Sequence, residues 1–264
     1  MKTKNNIIRY IIIGVAAVIF CYSAFMLIKI YLGYKQGNDI YNEIAESVLT
    51  PIDTTTADSN DSSSTTAAAT TTPFRYNHQS LLSINSEGIG YLYIPSIDIR
   101  LPMVQSSDND YYLTHTFNRT YNSAGTLFED YRITGGLSAT NVIIYGHNMK
   151  NGSMLAGLSK YLTPSFYSID GNDVFYIYTD NVLREYRIFS AYISEPVSGT
   201  YTYNFGSLSA LREYAASMKA LSAYNMNVDV SNTTQVITFS TCTSNGEQRI
   251  IVQGTFVGES ALDE

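Results

Sequence analysis

The sequence predicts a mainly β protein: a closed or nearly closed β-barrel with peripheral helices, carried behind an N-terminal transmembrane helix. Three observations predict it. An uncharged apolar run lies near the N-terminus, and a Thr/Ser-rich stretch with no core-forming residues follows it. Beyond that stretch, short apolar runs alternate with clusters of Gly, Asn, Asp and Ser, the spacing of strands and turns in all-β proteins.

Residues 11–28, IIIGVAAVIFCYSAFMLI, carry no charge, and as a helix they rise about 27 Å, close to the hydrocarbon thickness of a bilayer. Arg9 and Lys29 bracket the run, and both can snorkel toward headgroups. Lys2, Lys4 and Arg9 precede it, whereas Lys29 and Lys35 beyond it are offset by Asp39, Glu43 and Glu46. The positive-inside bias therefore puts the N-terminus in the cytoplasm and the remainder outside the cell membrane. The run is long for a signal peptide, and no Ala-x-Ala cleavage site follows it. The expectation is a cytoplasmic segment at 1–9 and an uncleaved single-pass anchor at 10–32. Cys21 has no Leu-Ala-Gly sequence before it, so lipidation is not expected.

In 33–48, Ile40, Ile44 and Val48 recur at spacing four, which reads as a short amphipathic juxtamembrane helix. Residues 49–73 are almost all Thr, Ser, Ala and Asp and read as a disordered spacer between membrane and domain. The outer domain is expected at 74–258, with a tail at 259–264. Its strand signals are IGYLYIP (89–95), NVIIYGH (141–147), DVFYIYT (173–179), EYRIFSAYI (185–193), QVITFSTC (235–242) and RIIVQGTFV (249–257). One helix interrupts them at 207–224, where Leu208, Leu211, Tyr214, Ala215, Met218 and Leu221 recur at three- and four-residue intervals.

Composition narrows the function. The net charge is −7 with no basic tract beyond the N-terminus, which argues against nucleic-acid binding. There are 23 tyrosines and no tryptophan. Tyrosine-rich surfaces suit peptide or glycan contacts, and sheet packing uses the same residue. The two cysteines cannot pair, because Cys21 lies in the apolar span and Cys242 in the outer domain. An unpaired cysteine in an oxidising compartment is either a buried small hydrophobe or a reactive thiol.

Its surroundings favour the thiol. Cys242 ends one strand and Arg249 begins the next, with Asn245-Gly246 between them. Asn-Gly favours a two-residue type I′ turn, and counting outward pairs Ser244 with Glu247, Thr243 with Gln248 and Cys242 with Arg249. Directly opposed residues share a face with Cβ atoms about 5 Å apart. A guanidinium there lowers a thiol pKa and donates to an oxyanion. Of the histidines, His78 abuts the spacer, His115 lies in a polar stretch, and His147 ends the apolar strand NVIIY at a loop junction. Sites are commonly built at such junctions, which makes His147 the expected proton partner.

At these residues the chain resembles the sortases, specifically class B. The Thr-Leu-x-Thr-Cys signature of that family reads Thr238-Phe239-Ser240-Thr241-Cys242 here, with Phe for Leu. The Tyr-Gly-His-Asn-Met block reads Tyr145-Gly146-His147-Asn148-Met149, followed by Asn151-Gly152 and Met154. Arg249 matches the family's arginine across the hairpin, and the 207–224 helix looks like the class B insertion. The resemblance covers residues 34–258 apart from the spacer. It implies a sortase-type barrel and a membrane-anchored cysteine transpeptidase with catalytic residues His147, Cys242 and Arg249. Ser240, Thr241 and Tyr145 are expected to contact substrate. The implied partners are secreted proteins with a C-terminal sorting signal, of Leu-Pro-x-Thr-Gly type or a class B variant. The implied acceptor is an amine of a peptidoglycan precursor or a pilin. No cofactor is implied and no metal site is expected, since no histidine cluster or second thiol lies near Cys242.

Other readings fit less well. An L,D-transpeptidase would carry Ser-x-Gly-Cys with an Arg two residues on, and a papain-like protease would order Cys before His. A pilin polymerase of class B type stays open. A non-catalytic surface β-domain is the reading from a different class. Such a protein would usually carry its own sorting signal, and Leu101-Pro102-Met103 matches one only in its first two residues.

Overall fold

The computed structural model describes residues 2–52, 74–180 and 182–262. A single helix, α1 (Lys2–Val48), runs from the apolar span to the domain without a break. Arg9–Val48 is long and apolar enough to cross a membrane, and its apolar window is unburied. The expected separate helix at 33–48 is thus the last turns of α1. Both segments are helical, and Gly33 does not interrupt them. The spacing-four stripe buries Ile40, Tyr41, Ile44 and Val48 in the domain core. A short strand β1 (Leu49–Pro51) follows and pairs antiparallel with β2 (Phe74–Tyr76).

This pairing changes the reading of 49–73. Residues 49–51 are strand, and the chain leaves and rejoins the domain at one two-stranded ladder. The helix already joins span to domain, so the stretch does not lie between them. Residues 53–73, the bulk of the expected disordered spacer, lie outside the described residues.

Helix α2 (His78–Ile84) is capped by Asn77, whose Oδ1 accepts from the Ser80 amide at 2.8 Å. His78, half-buried, is bonded through Nδ1 to the Tyr76 hydroxyl at 2.6 Å. The barrel comprises β3 (Gly88–Ile94), β4 (Ile99–Gln105), β5 (Leu127–Glu129), β6 (Asn141–Tyr145), β7 (Val174–Tyr178), β8 (Val182–Ser194), β9 (Val236–Cys242) and β10 (Arg249–Ala261). Their order around the closed barrel is β10-β8-β7-β3-β4-β5-β6-β9. Closure removes the exposed edges of an open sheet. Two neighbour pairs, β4 with β5 and β6 with β9, are parallel.

Two strands of the barrel have no counterpart among the sequence signals. One, β4, contains the Leu101-Pro102 dipeptide noted only as a partial sorting signal, and Pro102 pairs with Tyr91 of β3. The other, β5, is three residues long, too short for an alternation to register. The last strand pairs with β8 as far as Ala261, into the expected tail.

A short helix, α3 (Pro164–Tyr167), precedes β7. The crossover from β8 to β9 carries α4 (Leu208–Ala220), with Ser207 as its N-cap. Leu211, Tyr214, Ala215 and Met218 pack on Phe189, Tyr192 and Ile251 outside the barrel. The ends of the expected stripe, Leu208 and Leu221, are exposed, because the helix stops at Ala220 and only its middle meets the sheet.

Candidate active site

Three neighbouring strands of the barrel, β6, β9 and β10, build the site. The parallel ladder aligns Tyr145 of β6 with Ser240 of β9, and the Gly146 amide extends it to the Ser240 carbonyl at 3.3 Å. Two residues further on, past the end of β6 and at the end of β9, stand His147 and Cys242. A two-residue step returns to the same face, so the two side chains emerge side by side. On the other flank of Cys242, β10 pairs Arg249 directly opposite it. Neighbouring strands lie about 4.8 Å apart, so the thiol stands between imidazole and guanidinium. All three are half-buried and line one cleft of about 590 Å³.

The hairpin reaches the predicted register by a different turn. The Thr243 amide bonds the Gln248 carbonyl at 3.0 Å, and the Gly246 amide bonds the Thr243 carbonyl at 2.9 Å. Gly246 has φ of 77°, but Asn245 has no positive φ, so this is not the two-residue type I′ turn. A four-residue loop, 244–247, closes it. The Thr243 hydroxyl takes the Gln248 amide at 3.2 Å, and the register outward of Thr243 is kept.

Backbone carbonyls hold the site in place. The His147 Nε2–H donates to the Leu113 carbonyl at 2.7 Å, which orients the ring and leaves Nδ1 as the ring nitrogen without a hydrogen bond among the described residues. Asn148 donates from Nδ2 to the Cys242 carbonyl at 2.8 Å and ties the histidine loop to the cysteine strand. A Cβ on Gly146 would lie 2.4 Å from Leu127 Cδ2, so a larger residue there would have to displace the buried Leu127 and Leu155 side chains. The Arg249 guanidinium donates from Nη1 to the carbonyls of Gly246 and Gln248, at 3.1 and 3.0 Å. No hydrogen bond among the described residues joins His147, Cys242 and Arg249 to one another.

The expected substrate contacts also gather here. Ser240 is buried, with its hydroxyl 3.0 Å from the Tyr201 hydroxyl. Thr241 is buried and its hydroxyl has no hydrogen-bond partner. The Tyr145 ring lines the cleft, and its hydroxyl donates to Asp130 at 2.9 Å. His115, by contrast, does not line the cleft; it stacks on Tyr111 with ring centroids 4.1 Å apart.

The structure adds residues that sequence reasoning passed over. Asp130 is fully buried and accepts from Arg132 Nε at 2.8 Å, Arg132 Nη2 at 2.6 Å, Tyr145 and Asn109 Nδ2 at 3.1 Å. Burial opposes its ionisation, but the Arg132 bonds and the other donors outweigh it and hold the carboxyl below its ordinary range. Burial, then the Asp130 charge, raises the Tyr145 phenol well above its ordinary value, so it stays a neutral donor. Arg132 lies 4.2 Å over the Tyr203 ring. Pro196, Val197 and Ser198, from the crossover after β8, form a rim. The only sequence signal for Asp130 and Arg132 was their i, i+2 spacing, which many surface pairs share. Among the described residues no cluster of His, Cys, Asp and Glu could hold a metal ion.

A sortase domain model matches residues 92–257. Sortase B of Listeria monocytogenes is 35% identical over 182 residues, covering 68% of this chain and 73% of the relative. The chain belongs to the class B sortases. Sortase B of Staphylococcus aureus is 28% identical, covering 67% of this chain and 73% of the relative. Among solved structures, Listeria sortase B superposes with a TM-score of 0.59 over 66% of this chain and 97% of that one. The Bacillus anthracis sortase B structure in complex with AAEK1 gives a TM-score of 0.69 over 86% of this chain and 99% of that one. At 24% identity this second likeness concerns the fold alone. As a class B sortase the protein is a cysteine transpeptidase built on the eight-strand barrel described above.

Proposed function

We propose that this sortase cleaves a C-terminal sorting signal of secreted proteins through a thioacyl intermediate on Cys242, and joins the protein to a cell-wall amine. The observation that carries the proposal is the flanking of Cys242 by His147 and Arg249 within one cleft. The thiolate attacks the carbonyl carbon of the scissile peptide bond. Negative charge then develops on the carbonyl oxygen, where the Arg249 fork supplies planar donors. With Nε2 committed to Leu113, Nδ1–H of the protonated His147 ring is the atom that gives a proton to the leaving amine. The incoming amine loses a proton to Nδ1 as it attacks the thioester, and the thiolate leaves.

Tyr145, Tyr201, Tyr203 and Arg132 line the same cleft as the thiol, which suits a peptide with polar side chains. Secreted proteins bearing a signal of Leu-Pro-x-Thr-Gly type or a class B variant are the substrates in this reading. A peptidoglycan-precursor amine is the acceptor, and α1 anchors the enzyme in the cell membrane with the barrel outside. The test is intermediate trapping. Protein incubated with a sorting-signal peptide and digested at low pH should carry the acyl mass on the Cys242 peptide, released by hydroxylamine. Turnover without an adduct on Cys242 would overturn the proposal.

A further inference from the structure

The anchor helix and the cleft are joined by one loop, and its outer face is aromatic. The β4–β5 connection spans 106–126. Its Asn122 side chain donates from Nδ2 to the Gly33 carbonyl of α1 at 2.9 Å. Gly33 lies five residues past Ile28, the last residue of the uncharged run, which is about 7 Å along the helix axis. A headgroup layer is about 5–8 Å thick on each side of the hydrocarbon. If α1 spans the membrane, the loop is therefore held at headgroup depth.

The side chains at that level suit it. Tyr121, next to Asn122, is 74% exposed. It meets His115 edge to face at 5.7 Å, and His115 in turn stacks on the exposed Tyr111. On the helix, Tyr31 is exposed and Tyr34 half-buried at the same level. Tyrosine is favoured at the membrane–water interface, where an apolar ring and a polar hydroxyl are both satisfied. Exposure of a stacked aromatic cluster to water alone leaves its apolar faces wet. The loop is tied to α1 a second time at its β5 end, where the Tyr41 hydroxyl donates to the Gly125 carbonyl and lies 3.1 Å from Thr126 Oγ1.

We infer that Tyr111, His115 and Tyr121 form a membrane-contacting foot that seats in the lipid headgroup layer beside the anchor. The inference rests on the proposed membrane insertion of α1. It also places the cleft: Leu113, within the same loop, lines the cleft and takes the His147 hydrogen bond. Seated this way, the thiol lies close to the bilayer surface, where a substrate still held by a C-terminal apolar segment presents its scissile bond.

The chain contains no tryptophan, so a single introduced indole is a clean reporter. Three variants of the full chain, Phe20→Trp, Tyr121→Trp and Ile169→Trp, are reconstituted into phosphatidylcholine–phosphatidylglycerol vesicles. The vesicles carry nitroxides either on the headgroup or in the acyl chain. The expected result for Tyr121→Trp is a blue-shifted emission and at least about a twofold loss with the headgroup nitroxide. Phe20→Trp is quenched by the acyl-chain nitroxide, and Ile169→Trp by neither. Quenching of Phe20→Trp with none of Tyr121→Trp would overturn the foot and leave the anchor standing. Absence of quenching in Phe20→Trp would remove the anchor and the foot together. Equal quenching of Ile169→Trp and Tyr121→Trp would show nonspecific adsorption and also overturn the inference.

Discussion

The two halves of the cleft differ in how their polar groups are spent. In the Asp130 half, the carboxylate, Arg132, Tyr145 and Asn109 satisfy one another. In the Cys242 half, His147 and Arg249 bond only to backbone carbonyls, and the thiol bonds to nothing among the described residues. Groups that are saturated by partners hold geometry, and groups left open can bond a reacting molecule. The first half is thus built as a wall and the second as a working face. The same contrast recurs between sequence neighbours. Asp130 is surrounded by donors, whereas Glu129, equally buried on β5, has no partner for either carboxyl oxygen. Burial, with the Asp130 charge added, raises the Glu129 carboxyl to about 8.

The largest effect should come from the open half. Cys242→Ala is expected to abolish release of product from a sorting-signal peptide, read by chromatography, and Cys242→Ser nearly so. Unimpaired cleavage by either would remove the thiol from the chemistry. Arg249→Lys should lower kcat by about a hundredfold or more while the fold survives, because a point charge does not replace the planar fork. A wild-type rate there would move the oxyanion donor elsewhere.

The wall should respond in stability. Asp130→Ala leaves the Arg132 and Tyr145 groups without their acceptor and is expected to cost about 3 kcal/mol in denaturant unfolding. The Asp130 pKa is depressed in the fold, so its contribution is present above the unfolded pKa. It fades as pH falls through the folded pKa. A loss that did not shrink at low pH would contradict this assignment.

Glu129 should behave with the opposite sign. Its folded pKa, about 8, exceeds the ordinary value of 4.5, so the unfolded chain gives up the proton first. Wild-type stability then declines as pH rises between those values. Glu129→Gln, which cannot ionise, should flatten that decline. Parallel pH profiles for the two proteins would show that the carboxyl does not titrate as its burial implies. The smallest effect belongs to His115→Ala. Peptide cleavage in detergent solution should stay within about twofold of wild type, because His115 stands outside the cleft. A collapse of turnover would make it a second participant.

Much of the working face was legible early because it is local. A thiol and an arginine on either side of an Asn-Gly turn are placed by counting, and the count held although the turn had four residues instead of two. The wall was not legible. Asp130 and Arg132 lie beyond a three-residue strand, and their partners Tyr145 and Asn109 are fifteen and twenty-one residues away in either direction. No periodicity links such groups.

The amino-acid sequence by itself determined the apolar N-terminal run, the β texture, the α4 region and the Cys242–Arg249 pairing. Each follows from residues near one another in the chain, where hydrophobic period and turn chemistry act. Only the tertiary structure decided that His147 stands beside Cys242, since that requires the parallel pairing of β6 with β9 across the whole crossover. It alone decided that α1 runs unbroken into the barrel and docks through Ile40, Tyr41, Ile44 and Val48. Parallel pairing and helix docking are selected by burial of surfaces distant in the chain, and local pattern carries no record of which distant surface wins.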